Sequence, residues 1–238
     1  MIEMLRTHSI EFGIELSDVQ LQQFNRYYEL LIEWNGKINL TALTQPFDVA
    51  VKHFVDSLSL SKPMTNKNGE RLKLIDIGTG AGFPGIPLKI FYPQLQVTLL
   101  DSLNKRLKFL QKVVEELELT GVELVHGRAE ENARSVSHRE RYDYATARAV
   151  ARLNILCELC LPFVKKGGYF LAQKGAAAGE EVIEARNALK ILGGEIVQCI
   201  DVNLPQLADA RTLIVIQKKH GTPANYPRKA GIPERKPL

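Results

Sequence analysis

The chain has 238 residues, of which 45% are hydrophobic and 24% are charged, and its formal net charge at pH 7 is +4. These values are typical of a globular protein with one sizeable core, and the apolar runs are too short to span a bilayer. The first residues lack the basic stretch, apolar segment and cleavage site of a secretory signal, so we expect a cytoplasmic protein without a membrane partner.

The N-terminal part of the chain is predicted to be helical. Ser17 and Gln20 form a capping box, a pattern that marks the start of a helix. Apolar residues then follow at helical spacing until Asn35 and Gly36, where the pattern stops. A second helix is predicted to start at Pro46, because proline favours the first helical turn.

Beyond a polar junction from Thr65 to Arg71, which contains Gly69, short β-rich apolar runs alternate with amphipathic helices. This alternation predicts an α/β fold, a doubly wound, mostly parallel, seven-stranded Rossmann-like sheet. The predicted strands are Lys73 to Ile77, Val97 to Asp101, Val122 to His126, Tyr142 to Ala147, Tyr169 to Gln173, Ile196 to Val202 and Leu213 to Gln217. The last two have no helix between them and are predicted to pair as an antiparallel hairpin at the sheet edge.

These patterns divide the chain into three parts. We predict an N-terminal helical extension over 1–68, a nucleotide-binding domain over 69–219 and a basic, proline-rich tail over 220–238.

The first strand runs into a glycine-rich turn, DIGTGAGFPG, from Asp76 to Gly85. Glycines let the backbone turn sharply from strand to helix and bring main-chain N–H groups close to a ligand. Gly78 and Gly80 stand where the tight turn must occur. Gly80, Gly82 and Gly85 also satisfy the G-x-G-x-x-G pattern of dinucleotide-binding proteins, so a nicotinamide-dependent oxidoreductase is an alternative at this point.

The second strand ends at Asp101, at the separation where an acidic residue meets a ribose in nucleotide-binding βαβ units. A carboxylate there can accept hydrogen bonds from both ribose hydroxyls, in NAD and S-adenosylmethionine alike. The structural alternative is that Asp101 caps the following helix. After the third strand, Gly127, Arg128, Ala129 and Glu130 are placed to border an adenine ring. These positions predict a nucleoside cofactor.

Three cysteines are present, an odd number that fits a reducing compartment. Cys157 and Cys160 form a C-x-x-C pair, a spacing also found in zinc and redox sites. On a helix this spacing places both side chains on one buried face, and the sequence offers no second pair of ligands. We therefore interpret both cysteines as core residues and expect no metal.

The positive charge is concentrated in the C-terminal segment. From Lys218 onward six basic residues stand against one acid, a net charge of +5, whereas the rest of the chain has 25 basic and 26 acidic residues, a net charge of −1. Four prolines in this segment favour an extended strap. The charge predicts that the tail engages a polyanion, and the alternatives are a solubilising tail or a strap that Tyr226 and the prolines hold against the domain.

Seven segments together resemble one known family over nearly the whole chain. They are DIGTGAGFPGIPL from Asp76 to Leu88, DSLNKR from Asp101 to Arg106, GRAE from Gly127 to Glu130, TARAVA from Thr146 to Ala151, WNGKINLT from Trp34 to Thr41, HFVDSL from His53 to Leu58 and YPRKAGIP from Tyr226 to Pro233. The family is the glucose-inhibited division protein B family, the bacterial small-subunit ribosomal RNA methyltransferases G.

This resemblance implies that the chain methylates N7 of a guanine in the 530 loop of 16S ribosomal RNA, with the RNA or the assembling small subunit as partner. The sequence gives no sign of an obligate protein partner. It also implies that S-adenosylmethionine is contacted by Gly78, Phe83, Ala129, Glu130 and Arg148. The residue-based interpretation adds Gly80 and Asp101 to this cofactor-binding set. For Phe83 the structural alternative is a core aromatic ring, and for Arg148 it is an ion pair at the strand end.

Guanine N7 exposes a lone pair and carries no proton, so its methylation requires alignment rather than a general base. The sequence accordingly leaves the catalytic residues unassigned, with Arg148 as a candidate. The predicted RNA-binding residues are Lys105, Arg106, Arg128, Arg152, Lys174, Arg228, Lys229, Arg235 and Lys236. For each of them a solvated charged surface is the structural alternative. A non-catalytic RNA-binding factor on a nucleotide fold is the remaining functional alternative.

Overall fold

The computed structural model describes residues 1–64, 71–148, 150–208 and 210–238. Its strands are β1 (Lys73–Ile77), β2 (Gln96–Asp101), β3 (Val122–His126), β4 (Tyr142–Arg148), β5 (Val164–Lys174), β6 (Gly194–Asp201) and β7 (Thr212–Lys218). They form one seven-stranded sheet in the order β3-β2-β1-β4-β5-β7-β6. β1 to β5 pair in parallel, while β7 is antiparallel to both β5 and β6. The predicted α/β fold and its edge hairpin are confirmed.

Helices cover both faces of the sheet. They are α1 (Ile2–Glu11), α2 (Asp18–Ile38), α3 (46–61), α4 (Gly85–Phe91), α5 (Asn104–Glu116), α6 (Ala129–Asn132), α7 (Leu153–Cys160), α8 (Ala178–Glu184), α9 (Arg186–Leu192) and α10 (Ile232–Arg235). The helix α3 begins at Pro46, as predicted, and contains a π-helical stretch at Val49–Val55. No helix in the described part of the chain is long and apolar enough to cross a membrane.

The helix α2 starts with the predicted capping box. Ser17 Oγ accepts from the Gln20 main-chain N–H, and the Gln20 side chain accepts from the Ser17 N–H. The helix continues past the predicted stop at Gly36 to Ile38 and ends at Asn39, which adopts the left-handed conformation with φ 50°. A single glycine costs a helix only about 1 kcal/mol, so the buried stripe of α2 carries it through Gly36.

The N-terminal helices share one core with the sheet. Tyr27 of α2 and Phe54 of α3 are fully buried and pack against Phe83, in the glycine-rich turn, and Tyr27 also stacks on Phe109. The Tyr27 hydroxyl donates a hydrogen bond to the Ala81 carbonyl. The N-terminal helices therefore pack against the glycine-rich turn and stabilise its position. The predicted junction after residue 64 falls largely on 65–70, outside the described residues.

On the opposite face of the sheet, α7 packs its cysteines into a second core. Cys157 and Cys160 are fully buried, as the helical spacing predicts. Burial raises the pKa of both thiols, so they are held in the protonated form. Within the described residues no group of three or more histidine, cysteine, aspartate or glutamate side chains is arranged to hold a metal ion.

A cleft at the carboxyl ends of the strands

The turn after β1 forms the floor of a cleft at the carboxyl edge of the sheet. Gly78 and Gly80 both have positive φ, 67° and 62°, which glycine adopts without the steric cost of a side chain. A Cβ atom on Gly80 would meet only the Gly78 carbonyl, at 3.9 Å, while one on Gly78 would lie 2.9 Å from Val150 Cγ2. Both glycines line the cleft and place no side chain on its floor, and their contact with a cofactor stays a prediction.

The next two glycines serve packing instead. A Cβ atom on Gly82 would lie 2.7 Å from the Tyr27 hydroxyl and 2.8 Å from Leu110 Cδ2. One on Gly85 would lie 2.5 Å from Leu99 Cδ2. In a dinucleotide-binding turn the second glycine of the pattern must face the pyrophosphate. Here that glycine, Gly82, faces the core, which argues against the nicotinamide alternative.

Asp76, at the end of β1, holds this turn together. It is fully buried, and its Oδ2 accepts from Thr79 Oγ1 at 2.7 Å and from the Gly85 main-chain N–H at 2.9 Å. Burial raises the pKa of the Asp76 carboxyl to about 6, although both hydrogen bonds oppose the shift. The two bonds tie the strand end to the start of α4.

Asp101, at the end of β2, organises the same turn. Its Oδ2 accepts from the Gly80 N–H at 2.9 Å and from Arg106 at 3.3 Å, and its Oδ1 accepts from the Leu103 N–H at 2.8 Å. The carboxylate thus joins the glycine turn to the loop before α5, as the structural alternative anticipated in part. It also lines the cleft on both sides of the turn, and its contact with a ribose stays a prediction.

One side of the cleft, here called the adenosine side, is bordered by the ends of β2 and β3. Its lining includes Gly78, Asp101, Ala129 and Glu130, four of the seven predicted cofactor residues. Glu130 is buried, and its Oε1 accepts a hydrogen bond from the main-chain N–H of Gly231 in the tail at 3.0 Å. Pro233 and Glu234 complete the wall. A bare glycine turn beside two carboxylates suits an adenosine, so the residues present fit the predicted cofactor.

The other side, here called the acceptor side, lies between the glycine turn and α3. The remaining predicted cofactor residues, Gly80, Phe83 and Arg148, line it. Arg148 NH1 lies 3.0 Å from Asp56 Oδ2 and 3.3 Å from the Lys52 carbonyl, and NH2 lies 3.1 Å from His53 Nδ1. The guanidinium also sits over the Phe83 ring, 5.0 Å from its centre. Arg148 is therefore held in an ion pair at the strand end, the structural alternative, and its cofactor contact stays a prediction.

The titratable groups of the acceptor side are strongly perturbed. Burial and the Arg148 charge lower the pKa of His53 to about 3, so its imidazole is neutral at physiological pH. Burial raises the pKa of Asp56, while the cations of Arg148 and Arg211 oppose that shift. The carboxylate of Asp56 lies between the two guanidinium groups, with Arg211 Nε 3.8 Å from its Oδ1.

The sequence analysis did not predict several residues of the acceptor side as functional residues. Thr41, Lys52 and Arg211 all line it. Thr41 and His53 lie within the segments WNGKINLT and HFVDSL that carry the family resemblance, which is the signal that could have pointed to them. Arg211 follows a loop and offers no such signal.

The predicted RNA-binding residues fall into two groups. Those that are exposed and form no ion pair with another described residue are Lys105, Arg128, Lys229, Arg235 and Lys236. The others form ion pairs within the protein: Arg106 with Asp101, Arg152 with Glu184, Lys174 with Glu181 and Arg228 with Glu158. The Lys174 side chain is only 9% exposed and donates to the Ala151 carbonyl at 2.6 Å, so the structure does not favour it as an RNA contact.

The tail packs along the domain rather than extending from it. Lys218, at the end of β7, is fully buried and donates to the Leu161 carbonyl at 2.6 Å. Arg139 donates to the main-chain carbonyls of Thr222 and Tyr226 at 2.7 and 2.8 Å. Part of the +5 charge is therefore neutralised or buried, which favours the structural alternative of a docked strap. RNA binding by the exposed cations of the tail stays a prediction.

The Arg228–Glu158 pair anchors the middle of this strap. Glu158 is 1% exposed, and its carboxylate accepts from Arg228 Nε at 2.9 Å, Arg228 NH2 at 2.6 Å and the Arg228 main-chain N–H at 2.7 Å. A buried carboxylate is stable only when its charge is compensated, so this pair couples the tail to α7.

The same fold is found in solved structures of low sequence similarity. The [4+2]-cyclase SpnF superposes with a TM-score of 0.57 at 15% identity, covering 85% of this chain and 96% of that one. P. horikoshii TYW2, solved in complex with MeSAdo, superposes with a TM-score of 0.52 at 12% identity, covering 69% of this chain and 61% of that one. These similarities support the fold.

Sequence comparison gives the family. The model of the GidB family, described as rRNA small subunit methyltransferase G, matches residues 20–208. A ribosomal RNA small subunit methyltransferase G of Alkaliphilus metalliredigens is 53% identical over 228 residues, covering 96% of this chain and 95% of the relative. One of Staphylococcus saprophyticus is 49% identical over 238 residues, covering 100% and 97%. The chain therefore belongs to the rRNA small subunit methyltransferase G family and is an S-adenosylmethionine-dependent methyltransferase.

Proposed function

We propose that this methyltransferase places a methyl group on N7 of a guanine in the 530 loop of 16S ribosomal RNA, either free or in the assembling small subunit. The names of relatives that match almost the whole chain support ribosomal RNA of the small subunit as the substrate. The choice of N7 has a separate support, which lies in the chemistry of the acceptor side.

The observation that carries the choice of N7 is that the groups of the cleft that could act as a base are already engaged. His53 Nδ1 faces Arg148 and its Nε2 faces Thr41 Oγ1, at 3.1 and 2.8 Å. The carboxylate of Asp101 accepts three hydrogen bonds, and Asp56 is paired with Arg148. An exocyclic amine must lose a proton when it is methylated, whereas N7 has none to lose. The cleft is thus suited to an acceptor that needs no base.

The walls of the acceptor side suit a nucleic-acid base and its phosphates. The His53 and Phe83 rings stack at 4.4 Å between their centres and 17° between their planes, which gives an aromatic surface beside the glycine turn. Lys52, Arg106 and Arg211 line the same side and supply positive charge. We propose that the exposed cations continue this surface outward and bind the RNA backbone. These are Lys105, Arg128, Lys229, Arg235 and Lys236.

S-adenosylmethionine, when bound, supplies an electrophilic methyl group attached to a positively charged sulfur. The backbone of Gly78 and Gly80, with Asp101 and Glu130, would hold the cofactor on the adenosine side. Arg148 and Phe83 line the acceptor side and would limit how the acceptor approaches. The chain's contribution is then alignment, which can supply roughly 7 to 11 kcal/mol in well-oriented systems.

One assay tests this function. The purified protein is given labelled S-adenosylmethionine with unmethylated small subunits, naked 16S RNA or unrelated RNA, and the product is mapped by nuclease digestion and mass spectrometry. We expect one 7-methylguanosine in the 530 loop and none in unrelated RNA. A methyl group on an exocyclic amine or a ring carbon would contradict the choice of N7. An absence of transfer to every RNA would favour the non-catalytic alternative.

A further inference from the structure

Under the proposed function, on which this inference rests, the acceptor side has to distinguish guanine from adenine. Both purines expose an N7 lone pair in the same position. They differ at the neighbouring ring position, where guanine carries the O6 acceptor and adenine carries the N6 amino donor. An enzyme that methylates N7 of guanine alone therefore needs a group beside N7 that tells an acceptor from a donor.

The orientation of the His53 ring follows from its partner Arg148. A guanidinium group has only donors, so Arg148 NH2 donates to His53 Nδ1 across 3.1 Å. A neutral imidazole carries one proton, which must then be on Nε2. The low pKa of His53 agrees with a neutral ring. His53 Nε2 therefore donates to Thr41 Oγ1, 2.8 Å away.

The direction of the Thr41 hydroxyl follows in turn. Thr41 Oγ1 also accepts from the main-chain N–H of Leu43 at 3.0 Å. A hydroxyl oxygen has two lone pairs and one proton, so these two bonds occupy both lone pairs. The hydroxyl proton must point elsewhere, and the described part of the chain places no acceptor within hydrogen-bonding distance of it. The Thr41 hydroxyl is thus a donor whose proton has no acceptor among the described residues.

The position of this donor is fixed by its loop. Asn35 Oδ1 accepts from the main-chain N–H groups of Leu40 and Thr41 at 2.7 and 2.8 Å, which pins the loop to the end of α2. Thr41 lines the acceptor side together with Gly78, Gly80 and Phe83. The chain therefore holds a hydroxyl donor of defined direction in the cleft that contains the cofactor turn.

We propose that Thr41 is a specificity-determining residue whose hydroxyl donates to O6 of the target guanine, and that Arg148 and His53 are positioning residues that orient it. The hydrogen bonds run in one direction, from Arg148 through His53 to Thr41 and then to O6. Adenine would present an amino donor to the Thr41 proton and would leave that donor buried without an acceptor. The same residue therefore favours guanine and disfavours adenine.

The test pairs a change in the protein with a change in the RNA. Thr41→Val keeps the branched shape and removes the hydroxyl, while Thr41→Ser keeps the hydroxyl and serves as the matched control. Small subunits are reconstituted with 16S RNA that carries guanosine or 2-aminopurine riboside at the target position. The 2-aminopurine base keeps N7 and the 2-amino group but has hydrogen in place of O6.

We expect Thr41→Val to lower kcat/KM on guanosine RNA about 10-fold, the effect of losing one hydrogen bond, and to change it less than about 2-fold on the 2-aminopurine RNA. We expect Thr41→Ser to stay within about 3-fold of the parent on guanosine RNA. The affinity for S-adenosylmethionine, measured by calorimetry, should change less than about 2-fold in both variants.

Equal losses by Thr41→Val on the two RNAs would overturn the inference, because the hydroxyl would then serve the fold of the loop rather than O6. A large loss of cofactor affinity would overturn it as well and assign Thr41 to the cofactor. If Thr41→Val does not fold, Thr41→Ala provides the same comparison. A parent protein that forms no 7-methylguanosine overturns the proposed function together with this inference, whereas a parent that forms it with equal variant losses overturns the inference alone.

Discussion

The two ends of the chain close the same cleft from opposite sides. The N-terminal helices support the glycine turn from behind and supply His53 and Asp56 to the acceptor side. The C-terminal tail meets the adenosine side, where the Gly231 N–H binds Glu130. One end offers aromatic and basic groups and the other end offers a docked strap. The comparison teaches that segments outside the sheet complete the two sides of the cleft.

The largest effect is expected where the two sides meet, at Gly78. Gly78→Val should abolish detectable cofactor binding, raising Kd by at least about 100-fold, because the backbone has φ 67° and the new Cβ would lie 2.9 Å from Val150. Calorimetry with S-adenosylmethionine measures it. Gly179→Ala is the control, because a Cβ there meets nothing within 4 Å. A folded Gly78→Val protein with parental affinity would place the cofactor elsewhere.

The docked strap is tested by Arg228→Met, which keeps much of the aliphatic stem and removes the charge. Glu158 would be left as a buried, uncompensated carboxylate, so the free energy of unfolding should fall by about 3 kcal/mol. Lys229→Met, at the exposed neighbouring position, should change it by less than about 0.5 kcal/mol. Urea denaturation measures both values. Equal, small effects would mean that the tail is not anchored through Glu158.

The buried carboxyl of Asp76 in the glycine turn is tested by measuring how the free energy of unfolding depends on pH. The pKa of Asp76 is about 6 in the folded protein, above its unfolded value of about 4, so the folded state binds the proton more tightly. Between these pH values the contribution of Asp76 to stability falls as pH rises. Asp76→Asn should remove this loss and become more stable relative to the parent, by up to about 3 kcal/mol from pH 4 to pH 7. A difference that does not change with pH would contradict the shifted pKa.

A smaller effect is expected for Asp101→Ala, which should weaken cofactor binding by about 1 to 3 kcal/mol through the lost hydrogen bonds to a charged group. The variant also loses the bonds to Gly80 and Leu103, so a melting measurement accompanies calorimetry. Unchanged affinity with a lower melting temperature would assign Asp101 to the turn alone.

Local sequence patterns predicted the sheet and brought attention to four residues that line one side of the cleft, Gly78, Asp101, Ala129 and Glu130. Glycines, an acid at the end of β2 and alternating apolar runs each act over a few residues, so they can be seen without the fold. The start of β5 at Val164 was missed because Lys165, Lys166 and Gly167 interrupt the apolar pattern. The strand is formed there because it pairs with the start of β4 at Tyr142.

The acceptor side and the anchor of the tail could not be predicted in the same way. Arg148 and Asp56 are 92 positions apart and Arg228 and Glu158 are 70 apart, so only the tertiary fold brings each pair together. The charge of the tail likewise suggested a free cationic strap, because its buried partner Glu158 is indistinguishable in the sequence from a solvated acid on α7.

The most direct test of the central claim is to measure cofactor affinity and RNA methylation for one variant of each side. Glu130→Ala alters the adenosine side and should raise the Kd of S-adenosylmethionine about 10-fold. Lys52→Met alters the acceptor side and should leave that Kd within about 2-fold of the parent while raising KM for the small subunit several-fold and reducing its salt dependence. Equal losses of cofactor affinity in the two variants would contradict the division of the cleft into two sides.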